Sequence, residues 1–384
     1  MANKQALISL SKHVTLDWLT SEIDWCISKI RKNMTRYGEH FPSACATNGV
    51  YRIKDNDDWT NGFWTGMLWM AYEWTHEDSF LTLAKKNIDS FQKRLDDHFI
   101  LDHHDIGFLY SLSVGAGYNI TKNEHYKKEL IQAADVLAAR FQEKGGFIQA
   151  WGKYGDPNEY RLIIDSLLNL PLLIEASHLT NNPKYKNIAQ THYKTLLNTV
   201  VRDNYSTYHT FYFDTETGLP TYGATRQGNA DDSIWARGQS WAILGIPLFE
   251  RLNPSPTYPT IYQHIVDVFI DGLPKDLVPY WDYDFNDNNP SDKDSSSLAI
   301  AASGLLEADK QAVYPNAKDL AKGMIYRLGQ DYTSKDDPEN EGLLLHGVYS
   351  HKEGKGVDEP NLWGDYFYLE TLMSLANPNW EKYW

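Results

Sequence analysis

The sequence predicts an all-α fold, an (α/α)6 toroid built of six helical hairpins with short β segments in its rim loops. Three observations predict it. A polar head leads into an apolar helical run six times along the chain. Helices that are apolar nearly all round alternate with helices that carry only an apolar stripe. Strand-like alternation is confined to Tyr208-His209-Thr210-Phe211-Tyr212-Phe213, ahead of the Thr217-Gly218 turn, which reads as a short hairpin arm near the rim.

The first head, Trp59-Thr60-Asn61-Gly62-Phe63-Trp64, enters the run Thr65 to Tyr72, and the second, His103-His104-Asp105-Ile106-Gly107-Phe108, enters Leu109 to Leu112. The third is Arg161-Leu162-Ile163-Ile164-Asp165, followed by Ser166 to Leu173; the fourth runs from Asp231 through Trp235-Ala236-Arg237-Gly238-Gln239-Ser240-Trp241 into Ala242-Ile243-Leu244. Asp294-Ser295-Ser296-Ser297 and Leu362-Trp363-Gly364-Asp365-Tyr366 open the last two. Stretches between them, such as 129–141 and 185–200, mix charged residues with one apolar stripe, as surface helices do. The heads recur roughly every 45 to 70 residues, the length of one helical hairpin with its loops. Ring closure would then gather all six heads at one end, turning dispersed motifs into one pocket. The Pro- and Asp-rich stretches 253–259, 286–294 and 335–342 are read as loops, because the helical pattern resumes after each, so residues 1–384 are read as one catalytic domain.

Composition narrows the function. A net charge of -15 with no Lys/Arg-rich stretch disfavours nucleic acid and anionic lipid. No apolar run approaches the roughly 20 residues of a membrane span, and the first residues lack the apolar core and cleavage site of a secretory signal, so a cytoplasmic location is expected. Cys26 and Cys45 are too few for a disulfide framework. The 13 Trp, 25 Tyr and 14 Phe supply flat apolar faces of the kind that sugar C–H faces stack on, although large helical cores use aromatics too.

Asp105 and Asp165 are the first candidates for chemistry. Each stands at or near a helix start, where an Asp also serves as an N-cap worth about 1 kcal/mol, but carboxyls converging in a partly desolvated cleft are equipment for acid/base work on sugars. His104 and His209 can donate to a substrate oxygen or tune an Asp. Arg237 and Gln239, with Arg226 and Gln227 upstream, can hold a carboxylate, the other reading being a structural ion pair with Asp231 or Asp232. No HExxH or comparable ligand spacing, nucleophile elbow or phosphate loop occurs, so neither metal nor organic cofactor is expected.

The motifs around His104-Asp105, Ile164-Asp165-Ser166-Leu167-Leu168-Asn169-Leu170-Pro171, Trp235-Ala236-Arg237-Gly238-Gln239 and Trp363-Gly364-Asp365-Tyr366 resemble those of the unsaturated glucuronyl hydrolases, family 88 of the glycoside hydrolases, from about Trp59 to the C-terminus. The resemblance implies Asp165 as general acid and base and Asp105 as the partner carboxylate. It further implies a site lined by Trp59, His104, Trp151, His209, Gln227, Arg237 and Trp241. Its substrates would be lyase-generated oligosaccharides with a 4,5-unsaturated uronic acid at the non-reducing end, here unsaturated glucuronyl disaccharides from hyaluronan or chondroitin, taken by a monomer or homodimer. Family members that accept sulfated fragments carry a Ser-x-x-Ser-x-Lys arrangement in a late loop. In Gly347-Val348-Tyr349-Ser350-His351-Lys352, Ser350 and Lys352 match as substrate-binding residues while Gly347 replaces the first Ser.

Three alternatives stay open on sequence alone: a pectin-fragment hydrolase of the unsaturated rhamnogalacturonyl type, a sugar isomerase or epimerase, and a non-catalytic sugar-binding toroid. The first shares the fold and the paired Asp. The second would want a His pair, and the third has little need of a proton donor.

Overall fold

A computed structural model describes residues 2–384. Its helices, in chain order, are α1 (Ala2–Ser11), α2 (Leu16–Tyr37), α3 (Asn61–Thr75), α4 (Asp78–Asp96), α5 (Ile106–Tyr110), α6 (Ala116–Thr121), α7 (Glu124–Ala138), α8 (Leu170–Thr180), α9 (Pro183–Val200), α10 (Ala236–Leu252), α11 (Tyr258–Asp271), α12 (Ser295–Lys310), α13 (Ala317–Asp331) and α14 (Leu362–Ala376).

Six inner elements pack in sequence, α3 on α5, α5 on α8, α8 on α10, α10 on α12, α12 on α14, and α14 back on α3, so the ring expected from the head pattern closes. Outside it stand α2, α4, α7, α9, α11 and α13, which makes the (α/α)6 toroid. Patterning decides which helix goes where. Every residue of α12 from Ser295 to Ala308 is buried, while α4 buries only the stripe Phe80, Leu83, Ala84, Ile88, Phe91, Leu95 with Asn87 and Arg94. Inner helices approach closely at glycines. A Cβ on Gly62 would sit 2.0 Å from the Phe108 carbonyl oxygen, and one on Gly304 2.3 Å from that of Ile243, so no other residue fits at either contact.

Two inner elements are less regular than the pattern implies. The second is interrupted by a π-helical turn, Ser111–Gly115, between α5 and α6, and the third begins as a 3-10 turn, Ile164–Asn169, ahead of α8. The arm expected at 208–213 is the central strand, Thr210–Phe213, of a three-stranded antiparallel sheet with Arg161–Ile163 and Pro220–Ala224. A second hairpin, Gly347–Ser350 with Lys355–Glu359, stands on the same rim.

Residues 382–384 pack against inner helices of the ring. Lys382 is fully buried, with its ammonium donating to the Ser303 carbonyl and hydroxyl at 2.8 and 2.6 Å and lying 3.4 Å from Glu307 and 3.7 Å from Glu370. The Trp384 ring stacks on Phe367 at 7° between planes. Removing one member of a buried charge cluster strands the others, so Lys382→Ala is expected to cost about 3–5 kcal/mol in a denaturant titration, well above the cost of a surface substitution.

Candidate active site

All six heads open on the same end of the ring, and a cavity of about 770 Å3, counting its solvent-open mouth, is lined there by Trp59, Asp105, Trp151, Asp165, Arg226, Gln227, Trp235, Arg237, Trp241, Tyr349, Glu353 and Lys355. Trp59 precedes α3, Asp105 precedes α5, Asp165 lies in the 3-10 turn before α8, and Arg237 is in the first turn of α10. Asp105 occupies the N-cap position of α5 yet makes no side-chain capping bond, which leaves its carboxylate to the cavity.

Asp105, Asp165 and His104 form the core of the site, with one donor or acceptor atom from each inside a 4.8 Å radius of the others. His104 is completely buried, and its Nε2 lies 3.3 Å from an oxygen of both carboxyls. Burial pushes its pKa down to about 4, against the opposing pull of the Asp105 charge. The two carboxyls are pushed apart. Burial first, and then the Asp105 charge, raise Asp165 well above the usual carboxylate range, against the opposing pull of Arg237 and the backbone N–H groups of Asp165 and Ser166. Asp105 also suffers from burial, but His104, His103 and the Trp151 indole N–H outweigh it and hold Asp105 below the ordinary value. The two carboxyls thus differ in proton affinity, Asp165 holding a proton more tightly than Asp105, as expected when two close carboxyls sit in unlike surroundings.

Behind Asp165 a buried relay fixes the 3-10 turn. The Ile148 N–H donates to His192 Nδ1 at 2.8 Å, His192 Nε2 lies 2.7 Å from Ser166 Oγ, and that hydroxyl donates to the Ile163 carbonyl at 2.6 Å. The accepting Nδ1 puts the His192 proton on Nε2, so every member of the relay is satisfied.

Aromatic rings form the walls. Trp59 stacks on Trp363 and donates from Nε1 to the Tyr349 hydroxyl at 2.9 Å. Two guanidinium groups lie against the Trp151 ring, Arg161 at 4.9 Å and Arg226 at 5.1 Å from its centroid. Arg237 pairs with Asp294 at 3.0 Å, donates to the Val348 and Tyr349 carbonyls, and lies over the Trp235 and Trp363 rings.

The structure gathers Trp59, Asp105, Trp151, Asp165, Gln227, Arg237 and Trp241 around one cavity and places the other four expected residues outside its lining. His104 and His209 lie beneath the floor instead of lining it. His209 is 3% exposed, and its Nδ1 accepts the backbone N–H groups of Arg226 and Gln227 at 2.9 and 3.2 Å, so it shapes that loop. Ser350 is buried and its hydroxyl has no hydrogen-bond partner, and Lys352 sits exposed in the 351–354 turn outside the lining, whereas Glu353 of that turn and Lys355 of the returning strand line the cavity. The ion-pair partner of Arg237 is Asp294, the head of the next inner helix, and not Asp231 or Asp232.

Sequence reasoning missed Trp235, Tyr349, Glu353 and Lys355 as lining residues. A hairpin was legible in Ser350-His351-Lys352-Glu353-Gly354-Lys355, where Gly354 takes a φ of +60°, and its register would have brought Lys355 back over Tyr349.

The profile of Glycosyl Hydrolase Family 88 matches residues 32–314. The chain belongs to this family. The family 88 chain is 45% identical over 376 residues to the unsaturated chondroitin disaccharide hydrolase of Streptococcus pneumoniae (strain ATCC BAA-255 / R6), covering 97% of this chain and 95% of that one. It matches the crystal structure of unsaturated glucuronyl hydrolase from Streptococcus agalactiae with a TM-score of 0.94 at 43% identity, covering 97% of this chain and 94% of the other. An Asp→Asn variant of the Streptococcus agalactiae enzyme complexed with dGlcA-GalNAc6S matches with a TM-score of 0.87 at 38% identity, over 98% and 97% of the two chains. The resemblance read from the Asp105, Asp165, Trp235–Gln239 and Trp363–Tyr366 motifs is thus borne out, and the family 88 chain is an enzyme of the glycoside hydrolase type.

Proposed function

We propose that this family 88 enzyme releases 4,5-unsaturated glucuronic acid from the non-reducing end of lyase-generated chondroitin or hyaluronan disaccharides. The observation that carries the reading is a pair of carboxyls, Asp165 and Asp105, brought together in an aromatic cavity, with burial and their neighbours pushing Asp165 up and Asp105 down. A relative named unsaturated chondroitin disaccharide hydrolase aligns with 97% of the chain, and a structure holding dGlcA-GalNAc6S aligns with 98% of it, which supports the substrate class.

In this reading Asp165 transfers its proton to C4 of the C4=C5 enol ether. Positive charge develops at C5, is shared by the ring oxygen, and is stabilised by the Asp105 carboxylate nearby. Asp165, now a carboxylate, takes a proton from water as that water's oxygen bonds to C5. The resulting hemiketal opens by breaking the bond from C5 to the ring oxygen, leaving a hemiacetal at C1 that collapses and expels the neighbouring sugar as its alcohol. Trp59, Trp151, Gln227, Arg237 and Trp241 hold the sugars, while His104 and His209 act from below, the first on the carboxyl pair and the second on the Arg226–Gln227 loop. An inverting glycosidase places its carboxyls about 6.5–9.5 Å apart to seat a water between them; an oxygen of Asp105 and one of Asp165 lie within 4.8 Å.

The chemistry needs no metal. His104, Asp105 and Asp165 are close enough to grip an ion, but a divalent cation there would drive the proton from Asp165. Ultraviolet absorbance of the conjugated double bond should therefore decay when enzyme meets an unsaturated chondroitin disaccharide, at the same rate after exhaustive chelation. Binding without decay would mark a non-catalytic sugar-binding protein. We place the activity in one domain over the whole chain and in the cytoplasm, in keeping with two buried, unpaired cysteines and with no described helix long and apolar enough to cross a membrane.

A further inference from the structure

The mouth of the cavity carries charges that the proposed chemistry does not use. Arg226 comes from the loop before α10 and Glu353 from the turn of the 347–359 hairpin, and they meet across the opening, with Arg226 Nε and Nη2 donating to one Glu353 carboxylate oxygen at 3.3 and 3.2 Å. Their side chains are 52% and 45% exposed, and both belong to the lining. The face of Trp151, 5.1 Å from the guanidinium carbon, sets the plane of Arg226. Lys355, two residues beyond Glu353, lies 3.9 Å over the Tyr349 ring.

We propose that Glu353 is a specificity-determining residue: by occupying Arg226 it turns the enzyme toward disaccharides whose leaving sugar is uncharged and against those whose leaving sugar carries a sulfate. The inference rests on the proposed activity. The unsaturated ring must reach Asp165 and Asp105, so the leaving sugar lies toward the mouth. A sulfate there would find its best partner in the fork of Arg226, whose parallel N–H groups match oxyanion geometry. Glu353 already takes those donors and repels a second anion, which is discrimination by an unfavourable element as much as by a favourable one. The other groups expected to receive a sulfate do not offer themselves: Gly347 has no hydroxyl, that of Ser350 is buried, and Lys352 stands outside the lining. Lys355 also lines the mouth, but its ammonium lies over the Tyr349 ring, so the Arg226–Glu353 contact is the one in which an acid occupies the cation.

An exposed ion pair is weak, so the expected effect is modest, roughly fivefold in relative kcat/KM. The test measures kcat/KM for unsaturated glucuronyl-N-acetylgalactosamine with and without a 6-sulfate, in the wild type, Glu353→Gln, and Glu353→Gln combined with Arg226→Gln. Glu353→Gln should raise the sulfated-to-unsulfated ratio about fivefold, and the second substitution should abolish that gain. An unmoved ratio in Glu353→Gln, or the same gain in the double variant, would overturn the role of Glu353. Both outcomes differ from failure of the proposed activity itself, in which the wild type consumes neither disaccharide and the inference falls with it.

Discussion

Replacing Asp165 by Asn is expected to lower kcat by roughly 10³–10⁴-fold, since one group supplies both the proton for C4 and the base for water, while KM stays near the wild-type value. Asn keeps the size of Asp and can still hydrogen-bond in the 3-10 turn fixed by Ser166 and His192. Steady-state rates from the absorbance decay, with a direct binding measurement on the same variant, separate the two effects. Near-normal turnover would remove Asp165 from the reaction, and lost binding with intact folding would make it a substrate ligand.

Asp105→Asn should act through Asp165. The Asp105 charge is one of the causes that hold Asp165 above the carboxylate range. The active form carries the Asp165 proton, so activity is lost as pH rises through the Asp165 pKa and as pH falls through that of Asp105, giving a bell. Removing the Asp105 charge lowers the Asp165 pKa. The alkaline limb should therefore move toward acid, and kcat at neutral pH should fall by roughly 10²-fold with the lost stabilisation of charge at C5. A variant whose kcat falls equally at every pH, with the limb unmoved, would leave Asp105 a substrate ligand without influence on its neighbour.

Much of this was legible in the chain because burial on all sides leaves a clear trace. The runs Leu298 to Ala302 and Tyr366 to Leu369 have no polar face, so they belong inside a ring, and Asp105 and Asp165 were found because they head such runs. What the sequence hid depends on long-range pairing. The strand Arg161–Ile163 is too short for its own period to distinguish it from the head it adjoins, and it becomes a strand only by pairing with Thr210–Phe213. The pairing of Arg237 with Asp294 joins residues that share no local pattern, since they meet only where neighbouring inner helices begin. Lys355 was overlooked in favour of Lys352 because a hairpin decides by register which of two nearby lysines faces the cavity, and local resemblance does not fix register. His104 and His209 were expected in the lining and lie buried beneath it, because residue type does not say whether a ring stands in a wall or under a floor.

The most direct test of enol-ether protonation by Asp165 compares two disaccharides that differ only in the C4–C5 bond of the uronic acid. The unsaturated one should be consumed while its saturated counterpart, which has no double bond to receive the proton, is left intact at the same enzyme concentration. Comparable cleavage of the saturated sugar would mean attack at C1 and would contradict the mechanism.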